Sequence, residues 1–323
     1  MDGPGSAPVS LRISVTDRCQ LRCPYCMPPE GVPLVDRAQV LRFEEMLAVV
    51  RAVRERFSLA KVHLTGGEPL IRRGLADFVA RLAAEGPPDL ALTTNGHRLA
   101  ALAADLARAG LRRVNVSLDS LDAEVYAALT RGGMLAAALG GIDAALAAGL
   151  APVKLNMVVL RGVNDGEVVR VARWGLARGC EVRFLELMPI GTAAGRFGRE
   201  FVSSAEVRAR LAGAFDLAPL PPVPGASSRN FRARDADGRT GVLGLISPCT
   251  APFCEGCRRL RLTARGRLLG CLAQAEGIDL APLLRAPGGP DAAALGEAAE
   301  QALGLKRAAR RFADQGPMVA IGG

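Results

Sequence analysis

Residues 11–26 read Leu-Arg-Ile-Ser-Val-Thr-Asp-Arg-Cys-Gln-Leu-Arg-Cys-Pro-Tyr-Cys. The first six alternate apolar with polar, the pattern of a strand with one buried face. That strand runs directly into Cys19-x3-Cys23-x2-Cys26. Thiolate is the usual protein ligand of a [4Fe–4S] cube, and three ligands leave one iron open for another molecule. A structural zinc site normally closes four ligands. The chain has two histidines, His63 and His97, and neither is near the loop in sequence. The loop therefore reads as a cluster site, with zinc as the alternative.

Downstream of the loop the periodicity switches repeatedly between helix and strand. Helices are expected over 43–57 (Met46, Leu47, Val50 and Val53 on one side), 74–84, 98–108, 122–129, 134–148 and 167–178. Strands are expected over 61–65, 89–93, 113–118, 153–159 and 181–188. With the first strand this makes six βα repeats or near-repeats, an α/β chain whose pattern predicts a partial (β/α)6 TIM-like barrel with an open side. Thr-Gly-Gly-Glu-Pro at 65–69, Thr-Thr-Asn-Gly at 93–96 and Ser-Leu-Asp-Ser at 117–120 all fall at C-terminal strand ends. A (β/α) barrel places its active site there.

The pattern stops near residue 188, which predicts a barrel domain over 1–188 and a smaller C-terminal domain over 189–323. The second part is rich in glycine and proline, with a short helix over 204–212 and a hairpin over 231–246 turning at Asp235-Ala236-Asp237-Gly238. It carries a second triplet, Cys254-x2-Cys257-x13-Cys271. A strand pair over 260–263 and 267–271, turning at Arg265-Gly266, returns Cys271 toward the other two. Cys249 is a possible fourth ligand, so a three-cysteine cluster and a closed zinc or cluster site both remain open. Cys180 reads as a core thiol.

Half of the 323 residues are hydrophobic, yet no apolar run approaches the roughly 20 residues that span a bilayer. The start, MDGPGSAPVS, has no basic and apolar leader, so a cytoplasmic protein with no membrane partner is expected. Eight cysteines in such a chain point to metal ligation rather than disulfides. A net charge of +9 calls for acidic partners, either nucleic acid or a polyphosphate. The arginines are not interleaved with stacking aromatics, which argues against nucleic acid. The late run Lys306-Arg307-x2-Arg310-Arg311 reads as a solvated helix face.

The triplet Cys19-x3-Cys23-x2-Cys26, with Tyr25 before its last cysteine and Gly66-Gly67-Glu68-Pro69 one strand later, resembles the radical S-adenosylmethionine enzymes. Nearly end to end, the chain is similar to the GTP 3′,8-cyclases of molybdenum cofactor biosynthesis. The resemblance implies two [4Fe–4S] clusters, on Cys19, Cys23 and Cys26 and on Cys254, Cys257 and Cys271. It implies S-adenosylmethionine contacts at Tyr25, Gly66, Gly67, Glu68, Ser117 and Met188, with Glu68 suited to the methionine ammonium. GTP contacts are implied at Arg12, His63, Thr93, Lys154, Arg259, Leu260 and Arg261, and catalytic roles at Arg259, Arg261 and the terminal Gly322 and Gly323. Arg259 and Arg261, two apart on a strand, share a face. A one-electron donor protein, a downstream cyclic pyranopterin monophosphate synthase and a homodimer are implied as partners. One departure stands out, since the family has arginine where this chain has His63. Histidine is shorter and largely neutral at pH 7. The triphosphate is then held less tightly or by a neighbour such as Arg72 or Arg73, or else His63 is a barrel-lining residue with a satisfied hydrogen bond.

Three rival readings keep part of this pattern. A peptide maturase would share the radical chemistry, a basic zinc module would share the cysteines, and a degenerate paralogue would share both without turnover.

Overall fold

The computed structural model describes residues 8–33, 36–223, 225–274, 276–306, 312 and 316–321. Strands β1 (Val9–Ser14), β2 (Leu59–Thr65), β3 (Leu90–Thr94), β4 (Arg113–Ser117), β5 (Val153–Val158) and β6 (Glu181–Leu185) lie side by side in chain order, all parallel. Helices α1 (Phe43–Arg56), α2 (Leu75–Ala84), α3 (Leu99–Arg108), α4 (Ala123–Thr130), α5 (Leu135–Ala147) and α6 (Val168–Ala177) form the crossovers. Local chemistry starts and shapes them. Asp122 caps α4 by accepting from the amides of Glu124 and Val125 at 2.9 and 3.0 Å. On α2, Leu75, Phe78, Val79 and Leu82 form the buried stripe of an amphipathic helix. The last barrel strand ends at Leu185, short of the expected residue 188. Beyond it the chain turns away, and Glu186 accepts from backbone amides of the 249–250 loop.

The rest of the chain adds α7 (Phe197–Glu200), α8 (Ser204–Ala212), β7 (Phe215–Pro219), β8 (Arg229–Asp235), β9 (Thr240–Ile246), β10 (Arg259–Leu262), β11 (Arg267–Leu269), β12 (Ile278–Asp279), α9 (Ala281–Leu284) and α10 (Ala292–Gly304). The expected hairpins are present as antiparallel β8–β9 and β10–β11. Their outer edges join the barrel: β9 pairs parallel with β6, and β10 pairs parallel with β1. The result is one 12-stranded sheet in the order β12-β11-β10-β1-β2-β3-β4-β5-β6-β9-β8-β7. Six strands were expected in the barrel sheet, and the C-terminal part extends their parallel run at both edges. Helix α10, which was not expected, lies along α1 and is tied there by Arg56–Glu300 at 2.7 Å. No single helix among the described residues is long and apolar enough to cross a membrane.

Alternation along the strands explains the layers. Leu11 and Ile13 on β1, Val62 and Leu64 on β2, and Val114 and Val116 on β4 are fully buried in the helix-facing core. The intervening residues are Arg12, Lys61, His63, Arg113 and Asn115, which face the concave side. An ordinary barrel fills its interior with branched apolar side chains. This one keeps its apolar face outward under the helices and lines its interior with polar and cationic groups, as a container for a hydrophilic ligand requires.

Candidate active site

The two cysteine triplets sit at opposite ends of the same strands. Cys19, Cys23 and Cys26 follow the C-terminal end of β1, whereas Cys254 and Cys257 precede the N-terminal end of its parallel neighbour β10. Antiparallel β11 then returns Cys271 to that second end. At roughly 3.3 Å per residue, a six-residue strand separates the two ends by about 20 Å.

The first loop is shaped by its backbone. The amides of Cys26 and Met27 both donate to the Cys23 carbonyl, at 2.9 and 3.0 Å, winding one turn. The Gly-Gly turn after β2 clamps the loop's start, since Gly67 N–H donates to Thr16 O and Glu68 N–H to Arg18 O, both at 2.7 Å. A Cβ on Gly67 would lie 2.3 Å from the Arg18 carbonyl oxygen. The glycine is therefore required by contact with the cysteine loop itself. The amide of Leu21 donates to Cys19 Sγ at 3.4 Å. Burial pushes the thiols up, Cys19 to about 11 and Cys26 to about 12. Cys23 feels both Cys26 and Cys19, and Cys26 feels Cys19, so the three thiols lie close together. Among the described residues, no three His, Cys, Asp or Glu side chains converge on a point that would hold a single ion. A cube takes its thiolates at separate corners, and three closely placed, desolvated thiols fit a [4Fe–4S] group.

Around this mouth the expected cofactor residues divide. The Tyr25 hydroxyl donates to Asp119, whose other oxygen accepts from the Val158 amide at 2.8 Å. Ser117 ends β4, and Met188 packs against Ile190, Leu269 and Ile321. Glu68 is turned inward. Its carboxylate accepts from the Thr94 hydroxyl at 2.6 Å, the Leu70 amide at 3.0 Å and the Asn95 amide at 2.7 Å. Most of its acceptor capacity thus holds the β2 and β3 turns. Gly322 and Gly323 lie outside the described residues, but the segment before them reaches this mouth. The Val319 amide donates to the Cys26 thiol, and Ile321 is buried against Ile190 and Leu269. Gly191, at φ +55°, allows this approach, because a Cβ there would lie 2.4 Å from Gly316 O.

The second triplet has a different environment. Cys254 is exposed, and its thiol is raised by burial, then by Cys271 and Cys257. Burial alone would also raise Cys257, but the Lys306 ammonium and Arg259 guanidinium beside it bring it below the ordinary thiol value. Lys306 donates to the Arg259 carbonyl at 2.9 Å and to Cys257. It is therefore no solvated helix residue, a correction to the sequence expectation for this part of the basic run. Arg307, Arg310 and Arg311 lie outside the described residues. Cys249 turns away from the triplet: its thiol donates to Leu187 O at 3.4 Å and its amide to Glu186 at 2.9 Å. Cys180 is a core thiol, as expected.

Between the two ends lies the polar interior. Arg12, Lys61, Arg113, Lys154, Arg183, Arg259 and Arg261 line it and repel one another, which lowers the pKa of Arg12, Lys61, Arg183 and Arg261 after the larger effect of burial. Two carboxylates answer them. Asp89 takes Arg113 at 2.6 Å and Lys61 at 3.6 Å, and Glu181 takes Lys154. Arg183 donates to Asn156 Oδ1 at 2.9 Å and feels only the Glu181 carboxylate already engaged by Lys154, while around Arg12 the charges acting on it are those of other arginines. Burying a charge without a counter-charge costs several kcal/mol, so this interior is built for a polyanion.

His63 is buried and bonded through Nε2 to the Thr93 hydroxyl at 2.7 Å. Burial, then the Arg12 charge, holds its pKa well below the usual imidazole range, so the ring is neutral. His63 therefore lines the barrel with a hydrogen-bonded Nε2. Neither proposed substitute cation enters the interior. Arg72 donates to the Val15 and Leu41 carbonyls and lies 4.0 Å over the Phe43 ring, and Arg73 is exposed. Leu260 is fully buried in the helix-facing core beside Leu11. A ligand contact from it would have to come from its main chain.

Sequence reading missed Lys61, Arg113, Asn115, Arg183 and Lys306. For the four barrel residues a signal existed, namely a polar or charged residue at every second position of strands whose other positions are all apolar. For Lys306 there was none.

Comparison with known proteins agrees with this geometry. Residues 13–175 match the Radical SAM superfamily, and residues 180–312 match Molybdenum Cofactor Synthesis C. A GTP 3′,8-cyclase of Geobacter sulfurreducens is 45% identical over 92% of this chain and 89% of its own length. One from Pelotomaculum thermopropionicum is 48% identical, covering 88% of each chain. Among solved structures, SuiB of Streptococcus suis bound to its precursor peptide SuiA superposes with a TM-score of 0.63 at 13% identity, over 97% of this chain and 72% of that one. This last likeness concerns the fold alone. The chain belongs to the GTP 3′,8-cyclase family of the radical S-adenosylmethionine superfamily.

Proposed function

We infer that the chain converts GTP to (8S)-3′,8-cyclo-7,8-dihydroguanosine 5′-triphosphate, the first step of molybdenum cofactor biosynthesis. One observation carries this reading: a cation-lined interior open to a polyanion lies between two thiol triplets at opposite strand ends. A reduced cluster and S-adenosylmethionine, when bound, would supply the one-electron chemistry that takes the C3′ hydrogen of GTP, after which closure of C3′ on C8 and uptake of an electron and a proton would give the product.

The protein's contribution is positioning, which can account for much of the barrier. Cys19, Cys23 and Cys26 would hold the first cluster, with Tyr25, Gly66, Gly67, Glu68, Ser117 and Met188 shaping the S-adenosylmethionine site. Cys254, Cys257 and Cys271 would hold a second cluster, toward which the guanine points. Arg12, Lys154, Arg259 and Arg261 would take the triphosphate, with His63, Thr93 and the Leu260 main chain beside the sugar and base. Gly322 and Gly323 are assigned to the first mouth, which the described chain reaches at Val319. The division at residue 188, a cytoplasmic location, a homodimer, a one-electron donor protein and a downstream cyclic pyranopterin monophosphate synthase complete the proposal.

The test is 5′-deoxyadenosine release by anaerobically reconstituted protein with S-adenosylmethionine and dithionite. Release that rises with GTP and matches GTP consumption is expected. Release indifferent to GTP would discard the substrate, and no release from protein carrying iron would discard the radical chemistry.

A further inference from the structure

Three polar side chains form a closed relay in the middle of the interior. Asn115 is 3% exposed, and its amide nitrogen donates to Thr93 Oγ1 at 3.1 Å, with His63 Nε2 at 3.4 Å. The Thr93 hydroxyl and His63 Nε2 share a second hydrogen bond at 2.7 Å. With the Asn115 amide nitrogen turned toward Thr93 and His63, one atom is left over. Asn115 Oδ1 is buried with no hydrogen-bond partner among the described residues. An orphaned buried acceptor is destabilising and is not retained by packing alone.

We propose that Asn115 Oδ1 accepts a hydrogen bond from a ribose hydroxyl of the bound nucleotide, held in place by Thr93 and His63, and so distinguishes ribose from deoxyribose. The proposal rests on the GTP reading above and deepens it. An amide oxygen repels phosphate and calls for a donor, and GTP offers only its sugar hydroxyls and the N–H groups of guanine. Position separates those two. Asn115 lies on the same face of β4 as Ser117 and one step deeper, about 7 Å from the first mouth. The guanine is assigned to the opposite end, near Cys257, and a sugar whose hydrogen is removed from the first mouth must sit between. The three side chains are uncharged although Arg12, Lys61, Arg113 and Arg183 surround His63, as suits the neutral part of a nucleotide whose phosphates take the cations.

The experiment measures equilibrium binding of GTP, 2′-deoxyGTP and 3′-deoxyGTP to the reconstituted full chain without S-adenosylmethionine. The wild type is expected to bind GTP about tenfold more tightly than one deoxy analogue. The analogue that loses affinity identifies the hydroxyl. In Asn115→Leu that ratio should collapse to about one, mainly through weaker GTP binding, and in Thr93→Val it should fall part of the way. A wild type that binds GTP but tolerates loss of either hydroxyl would overturn the proposal, whether or not the variants fold. So would an Asn115→Leu protein that keeps the wild-type ratio. Absence of GTP binding in the wild type would count against the GTP reading itself.

Discussion

The two cysteine triplets have the same number of thiols and opposite surroundings. At the first mouth, burial raises Cys19 and Cys26, and the nearest supports are buried carboxylates. Glu68 and Asp119 are pushed up to about 7 and about 6 by desolvation. At the second end, Lys306 and Arg259 offset burial and lower Cys257. The first loop is held by backbone turns and accepts the cost of dry acidic groups, whereas the second is held beside cations. The contrast suits their proposed tasks. A desolvated mouth shelters a radical from water and side reactions, and a cationic end stabilises thiolates next to a polyanion.

The sharpest break between the two ends is loss of a ligand. Cys26→Ala should reduce 5′-deoxyadenosine release to background while iron falls by about half, given four irons per cube. Cys254→Ala should lose a similar amount of iron yet retain slow, GTP-independent cleavage. If either substitution empties both sites, the ends are not independent and the comparison fails.

Buried carboxylates should also give the first mouth a pH signature. Asp119 holds its proton more tightly when folded, from 3.8 up to about 6. Between about pH 4 and pH 6 the folded state therefore binds more protons than the unfolded one, and stability falls as pH rises. The full effect is at most about 3 kcal/mol, and Glu68 extends the decline toward pH 7. In Asp119→Asn, which keeps the Val158 bond, urea midpoints of iron-free protein should flatten across the lower half of this window. An unchanged slope would mean that Asp119 is not the group titrating.

A smaller effect is expected from Lys306→Met, in which Cys257 loses its cation. Alkylation of iron-free protein near neutral pH should slow about tenfold at Cys257 and stay unchanged at Cys19. Equal slowing at both would show a general change in structure. Cys249→Ser should change least, leaving iron content at the wild-type level, because the thiol is engaged with Leu187 O. Loss of iron in that variant would place Cys249 at the second triplet after all.

Much of the architecture was legible in the chain. Alternating strands and amphipathic helices are local signals, and the six parallel strands follow from them. Both hairpins were legible too, because their turns at Asp237-Gly238 and Arg265-Gly266 are encoded within a few residues. The inward row of Lys61, Arg113 and Arg183 was present in the same alternation, but each was read as one charge among many scattered arginines. Only the curved arrangement of the assembled strands shows that they share one space.

The sequence by itself determined the cysteine spacing, the βα order and the alternation of apolar with polar residues along the strands, since each depends on neighbours within one element. Tertiary structure decided the rest. Parallel pairing of β9 with β6 and of β10 with β1 has no local code, because the partners are far apart in sequence and meet only when the crossovers have packed. Where Lys306, Cys249 and Glu68 point was set by contacts from distant segments, with Cys257, Leu187 and Asn95 respectively. The unsatisfied oxygen of Asn115 belongs to this second class. A lone asparagine in a strand reads as an ordinary polar residue, and only burial beside Thr93 and His63 leaves its acceptor without a partner.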